Sequence, residues 1–304
     1  FVYAVGAETG EELWRCELGG AVSAAPEYSN GRIYVGQQGG EYEFYCLDAE
    51  TGEPLWQQAT GWVWGSAAVD GGQVFVAAAN GWAYCLDATT GAIQWRYRTA
   101  QSLAAEPLLH EQTVYIGGWG HYLYAFDRNS GEVQWKKQLS GGLDSGVPAL
   151  ADGRIYLPVG GNQFRCIDAD TGETLWRFRQ QYTNFNATPA YHDGRVYLCA
   201  FRGIGVGGIP VSSEVIALDA RTGEELWRLD DGGRGCVVGK GGRVFVASMV
   251  SPFLYCLDGD GGQNGRADIL WTYRMGNRVD ESVPALYGGR LYILSSDGYL
   301  HAVK

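Results

Sequence analysis

The chain contains 304 residues, among them 46 glycines and 11 tryptophans, and its net charge is −11 at pH 7. The acidic excess disfavours a nucleic-acid groove, which needs clustered lysine and arginine side chains to neutralise phosphates. It is instead typical of a surface charged for solubility. No apolar run approaches the roughly 18 residues of a membrane helix, so the sequence predicts no transmembrane segment.

One phrase recurs seven times along the chain, from a degenerate first copy that ends at Trp14 to an expanded last copy that ends at Trp271. The five copies between them read LDAETGEPLW, LDATTGAIQW, FDRNSGEVQW, IDADTGETLW and LDARTGEELW, and they end at Trp56, Trp95, Trp135, Trp176 and Trp227. Successive tryptophans are separated by 42, 39, 40, 41, 51 and 44 positions. A period of about 40 residues with several strands in each repeat predicts a β-propeller.

Residues 22–58 show the elements expected in one repeat. The segments VSAAPEY, NGRIYVG, EFYCLDA and PLWQQ read as four strands, because alternating apolar residues are bounded by Gly, Asn and Asp. The glycine of the Thr-Gly turn supplies the positive φ of a tight hairpin. The tryptophan lies on the outer strand, where a large ring can cover the seam between neighbouring blades. We therefore interpret the seven repeated tryptophans as structural.

These repeats predict an all-β, seven-bladed propeller of four-stranded antiparallel blades, with residues 1–304 in a single domain. EELWRCE near the N-terminus would complete the blade begun by the last repeat, so that both termini close the ring in one blade. However, FVYAV at residues 1–5 also resembles a third strand and competes with YLHAV for one place. It either stays outside the sheet or belongs to an additional blade of a longer polypeptide, of which this chain would be a fragment.

Four of the seven cysteines occupy the same place in the repeat, just before Leu-Asp or Ile-Asp: Cys46, Cys85, Cys166 and Cys256. Other copies carry alanine there, so we interpret the position as small and buried. Equivalent positions on different blades are too far apart for a disulfide. Seven thiols without an evident pairing scheme favour a reducing, cytoplasmic compartment.

The pattern AxxTGxxxW at this period resembles the pyrroloquinoline-quinone (PQQ)-like repeats, a superfamily with WD40-like architecture. Its members include quinoprotein alcohol dehydrogenases, the bacterial outer-membrane assembly lipoprotein, and sensor domains fused to bacterial kinases. The resemblance to the last two implies a protein-binding scaffold and a periplasmic or extracytoplasmic location, which leaves the compartment undetermined. The dehydrogenases bring eight blades, a vicinal disulfide and a carboxylate-rich calcium site. This chain has no adjacent cysteines, so its residues do not support PQQ as a cofactor.

The tryptophans outside the repeated phrase are Trp62, Trp64, Trp82 and Trp119, the last beside His121. All four map to connections that emerge on one face of a four-stranded meander. Aromatic rings on two neighbouring blades could form a patch for a peptide, a glycan or a planar ligand. Alternatively, the rings pack against loop backbone at the mouth of the ring, and His121 is an ordinary surface imidazole.

Polar candidates on the same predicted face are Asn184, Phe185, Asn277 and Arg278, together with Arg202. They could grip a polar ligand, or they could form an ordinary solvated rim. Arg202 lies in AFRGIGVGGIPVSSE, residues 200–214, which makes the fifth repeat the longest. Such an insertion on a rigid scaffold is either a partner contact or lid, or a passive extension.

The expanded turn LDGDGGQNGRADILW places Asp260, Asn264 and Asp268 at the spacing of the calcium loops of integrin-type propellers. Calcium prefers six to eight oxygen ligands, and glycine replaces one donor of that pattern here. The turn is therefore either a calcium site or a polar extension.

No catalytic constellation is evident, because none of the four histidines lies in a metal-binding or nucleophile-activating motif. We therefore expect a non-catalytic binding or scaffold module whose partner is a protein or peptide. A PQQ-binding oxidoreductase and a glycan-binding propeller are the alternatives.

Overall fold

Antiparallel β-sheet makes up nearly all of the regular structure, as the alternating patterns predict. The structure is a computed structural model that describes residues 1–39, 43–143, 147–160, 162–181, 183–185, 188–204, 210–280 and 282–304. Within these ranges, no helix is long and apolar enough to cross a membrane. The chain divides into two compact units, residues 1–145 and 146–304, which are described in turn.

Residues 1–145 form a two-stranded sheet followed by three four-stranded sheets, each with its strands in chain order. The two-stranded sheet contains β1 (Val2–Val5) and β2 (Glu12–Cys16). The four-stranded sheets contain β3 (Glu27–Ser29), β4 (Arg32–Gly36), β5 (Glu43–Asp48) and β6 (Pro54–Ala59); β7 (Ala68–Asp70), β8 (Gln73–Ala77), β9 (Trp82–Asp87) and β10 (Ile93–Arg98); and β11 (Leu108–His110), β12 (Thr113–Gly117), β13 (Tyr122–Asp127) and β14 (Val133–Gln138).

Residues 146–304 form two four-stranded sheets, one five-stranded sheet and one three-stranded sheet. The first contains β15 (Ala149–Ala151), β16 (Arg154–Val159), β17 (Gln163–Asp168) and β18 (Thr174–Arg179). The others contain β19 (Thr183–Asn184), β20 (Ala190–His192), β21 (Arg195–Ile204), β22 (Pro210–Asp219) and β23 (Glu225–Leu229); β24 (Cys236–Val238), β25 (Arg243–Ala247), β26 (Phe253–Asp258) and β27 (Asp268–Arg274), with a short 3-10 helix (Gln263–Gly265); and β28 (Ala285–Tyr287), β29 (Arg290–Leu294) and β30 (Leu300–Val303).

The repeated phrase forms the turn between the last two strands of every described sheet except β28–β30. In the copy at Asp87, one carboxylate oxygen accepts from the backbone N–H groups of Thr89 and Thr90 at 3.0 and 2.8 Å, and from the Thr90 hydroxyl at 2.9 Å. Gly91 follows with φ +74°. The aspartate thereby satisfies the donors of a turn that only glycine closes without strain.

The same glycine has a second role, because it packs under the tryptophan of the preceding repeat. A Cβ atom on Gly91 would lie 2.6 Å from the ring of Trp56, and one on Gly131 would lie 2.7 Å from that of Trp95. The Trp56 indole also donates to the Ala88 carbonyl at 3.1 Å, and the Trp95 indole to the Arg128 carbonyl at 2.8 Å. Each indole therefore fastens its own sheet to the next, as predicted for a structural tryptophan.

The cysteine position in the repeat is explained by register. Cys85 lies directly opposite Trp95 across β9 and β10, and Cys166 lies opposite Trp176 across β17 and β18. Ala125 takes the same place opposite Trp135, and all of these small residues are fully buried. A β-bulge follows the pair in each case. A small side chain leaves room for the indole, which confirms the expectation of a small buried position.

The core lies between consecutive sheets within each unit. Rings and aliphatic side chains of β8 and β9, such as Phe75, pack with those of β12 and β13, such as Phe126, and the Trp95 ring lies 5.8 Å from Phe126. Equivalent clusters join the sheets of residues 146–304, where Trp227 is 1% exposed. The sheets of β7–β10 and β20–β23 have a packed neighbour on each side, so both faces of their middle strands are buried and these strands are apolar.

The N-terminal segment pairs with its own neighbour. Strand β1 pairs with β2, with Val2 opposite Cys16 and Ala4 opposite Trp14. The hairpin has the register of a third and fourth strand, including the bulge that follows the small residue. FVYAV therefore enters a sheet as the partner of EELWRC, and YLHAV is the third strand of the separate β28–β30 sheet.

Candidate functional site

The connection from β6 to β7 presents two tryptophans on either side of a buried valine. Trp62 and Trp64 are 41% and 37% exposed, whereas Val63 between them is 1% exposed. Val63 forms a bridge with Ala78, and its N–H donates to the Gln37 carbonyl at 3.3 Å. Because side chains alternate along extended backbone, burying the valine turns both indoles outward.

Trp119, in the connection from β12 to β13, joins this pair. Its side chain is 39% exposed, and its ring centroid lies 5.2 Å from that of Trp64 at an interplanar angle of 63°. This edge-to-face arrangement is a favourable geometry for aromatic rings. We call Trp62, Trp64 and Trp119 the tryptophan surface.

Backbone hydrogen bonds hold the loops of the tryptophan surface together. The Ala79 N–H donates to the Trp62 carbonyl at 2.7 Å, and the Ser102 hydroxyl donates to the Ala79 carbonyl, also at 2.7 Å. The Gly120 N–H, next to Trp119, donates to the Ser102 carbonyl at 3.2 Å. These three bonds link four connections in series, so the indoles are held on ordered backbone.

A pocket of about 400 Å³ opens beside Trp62, lined by Gly61, Trp62, Ala79 and Asn80. The Asn80 amide shapes it, since its Nδ2 donates to the Thr60 carbonyl at 3.0 Å and its Oδ1 accepts from the Trp82 N–H at 3.2 Å. Gly61 has φ +90°, and a Cβ there would lie 2.4 Å from the Asn80 amide nitrogen. Both its conformation and its space therefore require glycine.

Trp82 and His121, which were expected on the same face, do not contact the tryptophan surface in the same way as Trp64 and Trp119. Trp82 is the first residue of β9, is partly buried against the core, and carries the guanidinium groups of Arg96 and Arg98 at 4.8 and 5.3 Å from its ring centroid. The arginines lie on β10, so their register covers the ring within the sheet. His121 is exposed with φ +60°, and its carbonyl accepts from the Leu139 N–H at 2.8 Å.

A partly buried carboxylate lies on the connection that leads to β11. Burial raises the pKa of Glu106 to about 7, the charge of Glu27 adds to the rise, and a hydrogen bond to Ser66 opposes it. Burial also raises the pKa of Glu27, which lies on β3. Glu106 therefore changes its charge near neutral pH.

In residues 146–304, Arg202 is held by a buried glutamate. Its Nη2 lies 3.4 Å from Oε1 of Glu214, whose side chain is 6% exposed, and Arg228 Nη1 lies 3.0 Å from the other oxygen. Gln180 Nε2 donates to Oε1 at 2.8 Å. Arg202 nevertheless keeps 46% of its side chain exposed, on a hairpin whose tip, residues 205–209, lies outside the described residues.

The other polar candidates divide into buried and exposed members. Phe185 corrects an expectation, because it is 1% exposed and its ring packs 5.9 Å from Phe178, inside the core. Asn184 is partly buried and pairs with Phe201 across β19 and β21. These side chains therefore position the insertion and do not form an open rim.

Asn277 and Arg278 lie in the connection from β27 to β28. The exposed Asn277 side chain accepts from the Arg278 N–H at 2.9 Å, and Arg278 Nη2 pairs with Asp280 at 2.9 Å. The Arg278 carbonyl accepts from the Ser296 N–H at 3.0 Å. These contacts hold the connection from β27 to β28 in place.

A polar network around Asp231 is a feature that the sequence patterns do not predict. Its carboxylate accepts hydrogen bonds from Ser251 at 2.6 Å, from Tyr255 at 2.7 Å and from Ser248. The Ser213 hydroxyl donates to it at 3.3 Å. The donors lie 17 to 24 positions away along the chain, so no local motif marks them. The network fixes the connection from β23 to β24.

In the expanded last copy of the repeated phrase, the first candidate calcium ligand is engaged by an arginine. Asp260 pairs with Arg195 Nη2 at 2.8 Å, Asn264 adopts φ +64°, and Asp268 pairs with Asp258 across β26 and β27. Within the described residues, no three His, Cys, Asp or Glu side chains form a group that could hold a metal ion. The calcium site stays a prediction, which the Asp260–Arg195 pair disfavours.

Solved structures resemble the chain along most of its length. The crystal structure of BamB from Moraxella catarrhalis superposes with a TM-score of 0.74 at 22% identity, covering 96% of this chain and 86% of that one. A europium-containing methanol dehydrogenase gives 0.68 at 14% identity, covering 91% and 72%. The computationally designed protein Ika8 gives 0.62 at 14% identity, covering 94% and 96%. No curated protein sequence matches the chain.

A family model described as outer membrane protein assembly factor BamB matches residues 1–121, 120–208 and 211–304. These matches span the repeats with their turns and seam tryptophans, and they confirm the resemblance to PQQ-like repeats. The chain therefore belongs to the BamB family of PQQ-like repeat β-propellers.

Proposed function

We propose that this chain is a non-catalytic scaffold that binds a protein partner through the tryptophan surface. The observation that carries the proposal is the set of three large, exposed indoles held together on ordered loops. Tryptophan is enriched among the residues that dominate protein interfaces, and an ordered side chain loses little entropy on binding. The exposed fractions of 37–41% leave a broad area of each ring to be buried by a partner.

The geometry favours a protein segment over a planar ligand. A flat cofactor binds best between parallel rings, but Trp64 and Trp119 meet at 63°. Rings at this angle form an uneven apolar surface beside the pocket of about 400 Å³ at Trp62, which suits side chains of different shapes. The family description supports the same class of partner, namely a protein that takes part in outer-membrane assembly.

The test uses an outer-membrane β-barrel protein that is unfolded in urea and diluted over the immobilised chain. The double variant Trp64→Ala, Trp119→Ala is expected to bind at least about tenfold more weakly, because it removes both members of the ring pair. Tyr28→Ala is the matched control, since Tyr28 is 66% exposed in the same unit but apart from these loops. Equal binding by the double variant and the parent would contradict the proposal.

Two alternatives have distinct readouts. A PQQ-binding oxidoreductase predicts a visible absorption band after addition of PQQ with calcium, followed by dye reduction with an alcohol. A glycan-binding propeller predicts retention on a polysaccharide column that the double variant loses. Its supporting feature is the exposed tryptophans themselves, since aromatic rings also stack on sugar faces. Either result, without binding of the unfolded β-barrel protein, replaces the scaffold proposal.

The complete architecture belongs to the same proposal: seven blades in a single domain, with a ring closed by the terminal strands. It is supported by the seven copies of the repeated phrase and by likeness to propellers over 96% of the chain. A single compact domain of this length has a radius of gyration of about 19 Å. Small-angle scattering would give a clearly larger value if residues 1–145 and 146–304 tumbled separately.

A further inference from the structure

Cys199 and Cys236 stand outside the repeated cysteine position. Cys199 lies on β21 and Cys236 begins β24, so they belong to two different sheets of residues 146–304. They are 0% and 5% exposed, and both lie in one apolar cluster that joins these sheets. The repeat therefore does not account for either thiol, although each is in the core.

The backbone brings the two thiols together. Thr188 and Gly235 form a parallel bridge just before β20 and β24, and Cα atoms of β21 and β24 approach within 8 Å. The Cys236 Sγ lies 3.7 Å from the Tyr197 carbonyl, and Tyr197 shares a strand face with Cys199 because they are two residues apart. Interaction with the Cys199 thiol, together with burial, raises the pKa of Cys236 well above its usual range.

The cysteines at the repeated position differ in this respect. Cys85 and Cys166 each lie opposite the tryptophan of their own sheet. The Cys85 thiol donates to Oε1 of Gln94 at 3.4 Å, and the two cysteines belong to different clusters. Cys199 and Cys236 instead lie on strands β21 and β24, whose Cα atoms approach within 8 Å, and close approach of the two backbones is the first requirement of a disulfide.

We propose that Cys199 and Cys236 form a disulfide when the chain folds in the presence of a glutathione-type disulfide oxidant. The thiolate of one cysteine attacks the oxidised glutathione, which forms a mixed disulfide and releases one glutathione. The second cysteine then attacks the mixed disulfide and releases another glutathione. Overall two S–H bonds of the protein break, one S–S bond forms, and both electrons and both protons pass to the two glutathione thiols.

The reaction belongs to folding and not to the folded state. Exchange requires a thiolate, and in the folded chain both thiols are buried and the pKa of Cys236 is raised. The thiols are exposed and ionise more easily before the sheet of β20–β23 packs on that of β24–β27. Once formed, the bond joins β21 of one sheet to β24 of the next.

The test compares refolding with and without reduced and oxidised glutathione, followed by unfolding and alkylation with iodoacetamide. The expected oxidised product has lost two hydrogens, carries five alkylated cysteines of the seven in the sequence, and yields one cross-linked peptide pair containing Cys199 and Cys236. Seven alkylated cysteines, or a cross-link between other positions, would overturn the proposal. Diamide added to the folded, reduced protein is expected to act at least about tenfold more slowly than exchange during refolding.

Matched variants separate pairing from folding. Cys85→Ser removes a buried cysteine at the repeated position and is expected to retain the cross-link, whereas Cys199→Ser and Cys236→Ser lose it. The urea midpoint of the oxidised parent should fall on reduction, and that of Cys199→Ser should not change. If either serine variant fails to fold, the oxidised and reduced parent chains supply the same comparison, and identical midpoints contradict a bond that fastens the two sheets.

Discussion

Tryptophan has one role beside the turns of the repeated phrase and another in the loops of the tryptophan surface. At the turns, the indole of Trp95 or Trp227 is buried and donates to a carbonyl of the next sheet at 2.8 or 3.0 Å. In the loops, Trp64 and Trp119 keep more than a third of their side chains exposed and contact each other. Burial against a neighbouring repeat, and not the residue type, therefore distinguishes a tryptophan of the seam from one available to a partner.

Carboxylates at the two places differ in the same way. The turn aspartates, such as Asp87, have a lowered pKa because backbone and hydroxyl donors of Thr90 stabilise the charge. Glu106, on the loop side of β11, has a pKa raised to about 7 because burial disfavours its charge. The turn aspartates therefore stay charged at neutral pH, and their contribution to the stability of the fold is lost in acid. The charge of Glu106 instead changes near neutral pH.

The largest expected effect tests the division between the two classes of tryptophan. Trp227→Ala removes a ring that is 1% exposed and should lower the free energy of unfolding by about 3–5 kcal/mol. Trp119→Ala should lower it by no more than about 1 kcal/mol, since the ring is 39% exposed. Urea titrations followed by circular dichroism give both values. If Trp227→Ala does not fold, Trp227→Phe keeps an aromatic ring while removing the indole donor, and it should still exceed Trp119→Ala in cost.

The second prediction concerns the two roles of the turn glycine. Gly91→Ala should cost about 2–4 kcal/mol, because it combines a strained positive φ with a Cβ placed against Trp56. Gly72→Ala is the control, since Gly72 has φ +80° with nothing within 4 Å, and it should cost only about 1 kcal/mol. Equal shifts of the urea midpoint would show that the ring contact contributes nothing.

The third prediction addresses Glu106. Its pKa in the folded chain exceeds the ordinary value, so the stability of the parent falls as pH rises from about 4.5 through about 7. Glu106→Gln removes this charge and keeps a partner for Ser66, so it should be about 1–2 kcal/mol more stable than the parent at pH 8. The difference should vanish toward pH 4.5. A constant difference in urea midpoint at all pH values would argue against ionisation as the cause.

The smallest effect concerns the turn aspartates. The pKa of Asp87 is lowered in the folded chain, so its contribution is present above the ordinary aspartate value and is lost as pH falls through the folded one. Asp87→Asn should cost about 0.5–1 kcal/mol at pH 7, a modest amount because solvent screens the turn. Thermal unfolding at pH 7 and pH 2.5 checks this, since the parent and variant should converge in acid.

The repeated elements could be predicted because the same sequence pattern recurs in each repeat. The strands, the Asp-Thr-Gly turns, the seam tryptophans and the small position at Cys85 follow from patterns within about ten residues of one another. The cross-strand pair of Trp82 and Arg98 could also have been found by counting outward from the turn at Asp87, since the two lie in register. Register converts a sequence separation into a contact wherever a hairpin is regular.

The remaining features depend on contacts between separate connections. Phe185 looked available because its neighbours are polar, but its ring fills a gap beside Phe178 that no local pattern reveals. The hydroxyls around Asp231 come from two other hairpin segments. Similarly, the approach of Cys199 to Cys236 arises where two innermost strands run side by side. Such contacts belong to the packing of loops and sheets, which propensity and periodicity do not describe.

Each seam indole selects a main-chain oxygen as its acceptor, and the residue that supplies this oxygen is alanine at Ala88, arginine at Arg128 and glycine at Gly259. This hydrogen bond does not depend on the side chain of the residue that supplies the carbonyl. The acceptor position can therefore differ between repeats, whereas the turn glycine beneath the indole, such as Gly91, leaves no room for a side chain.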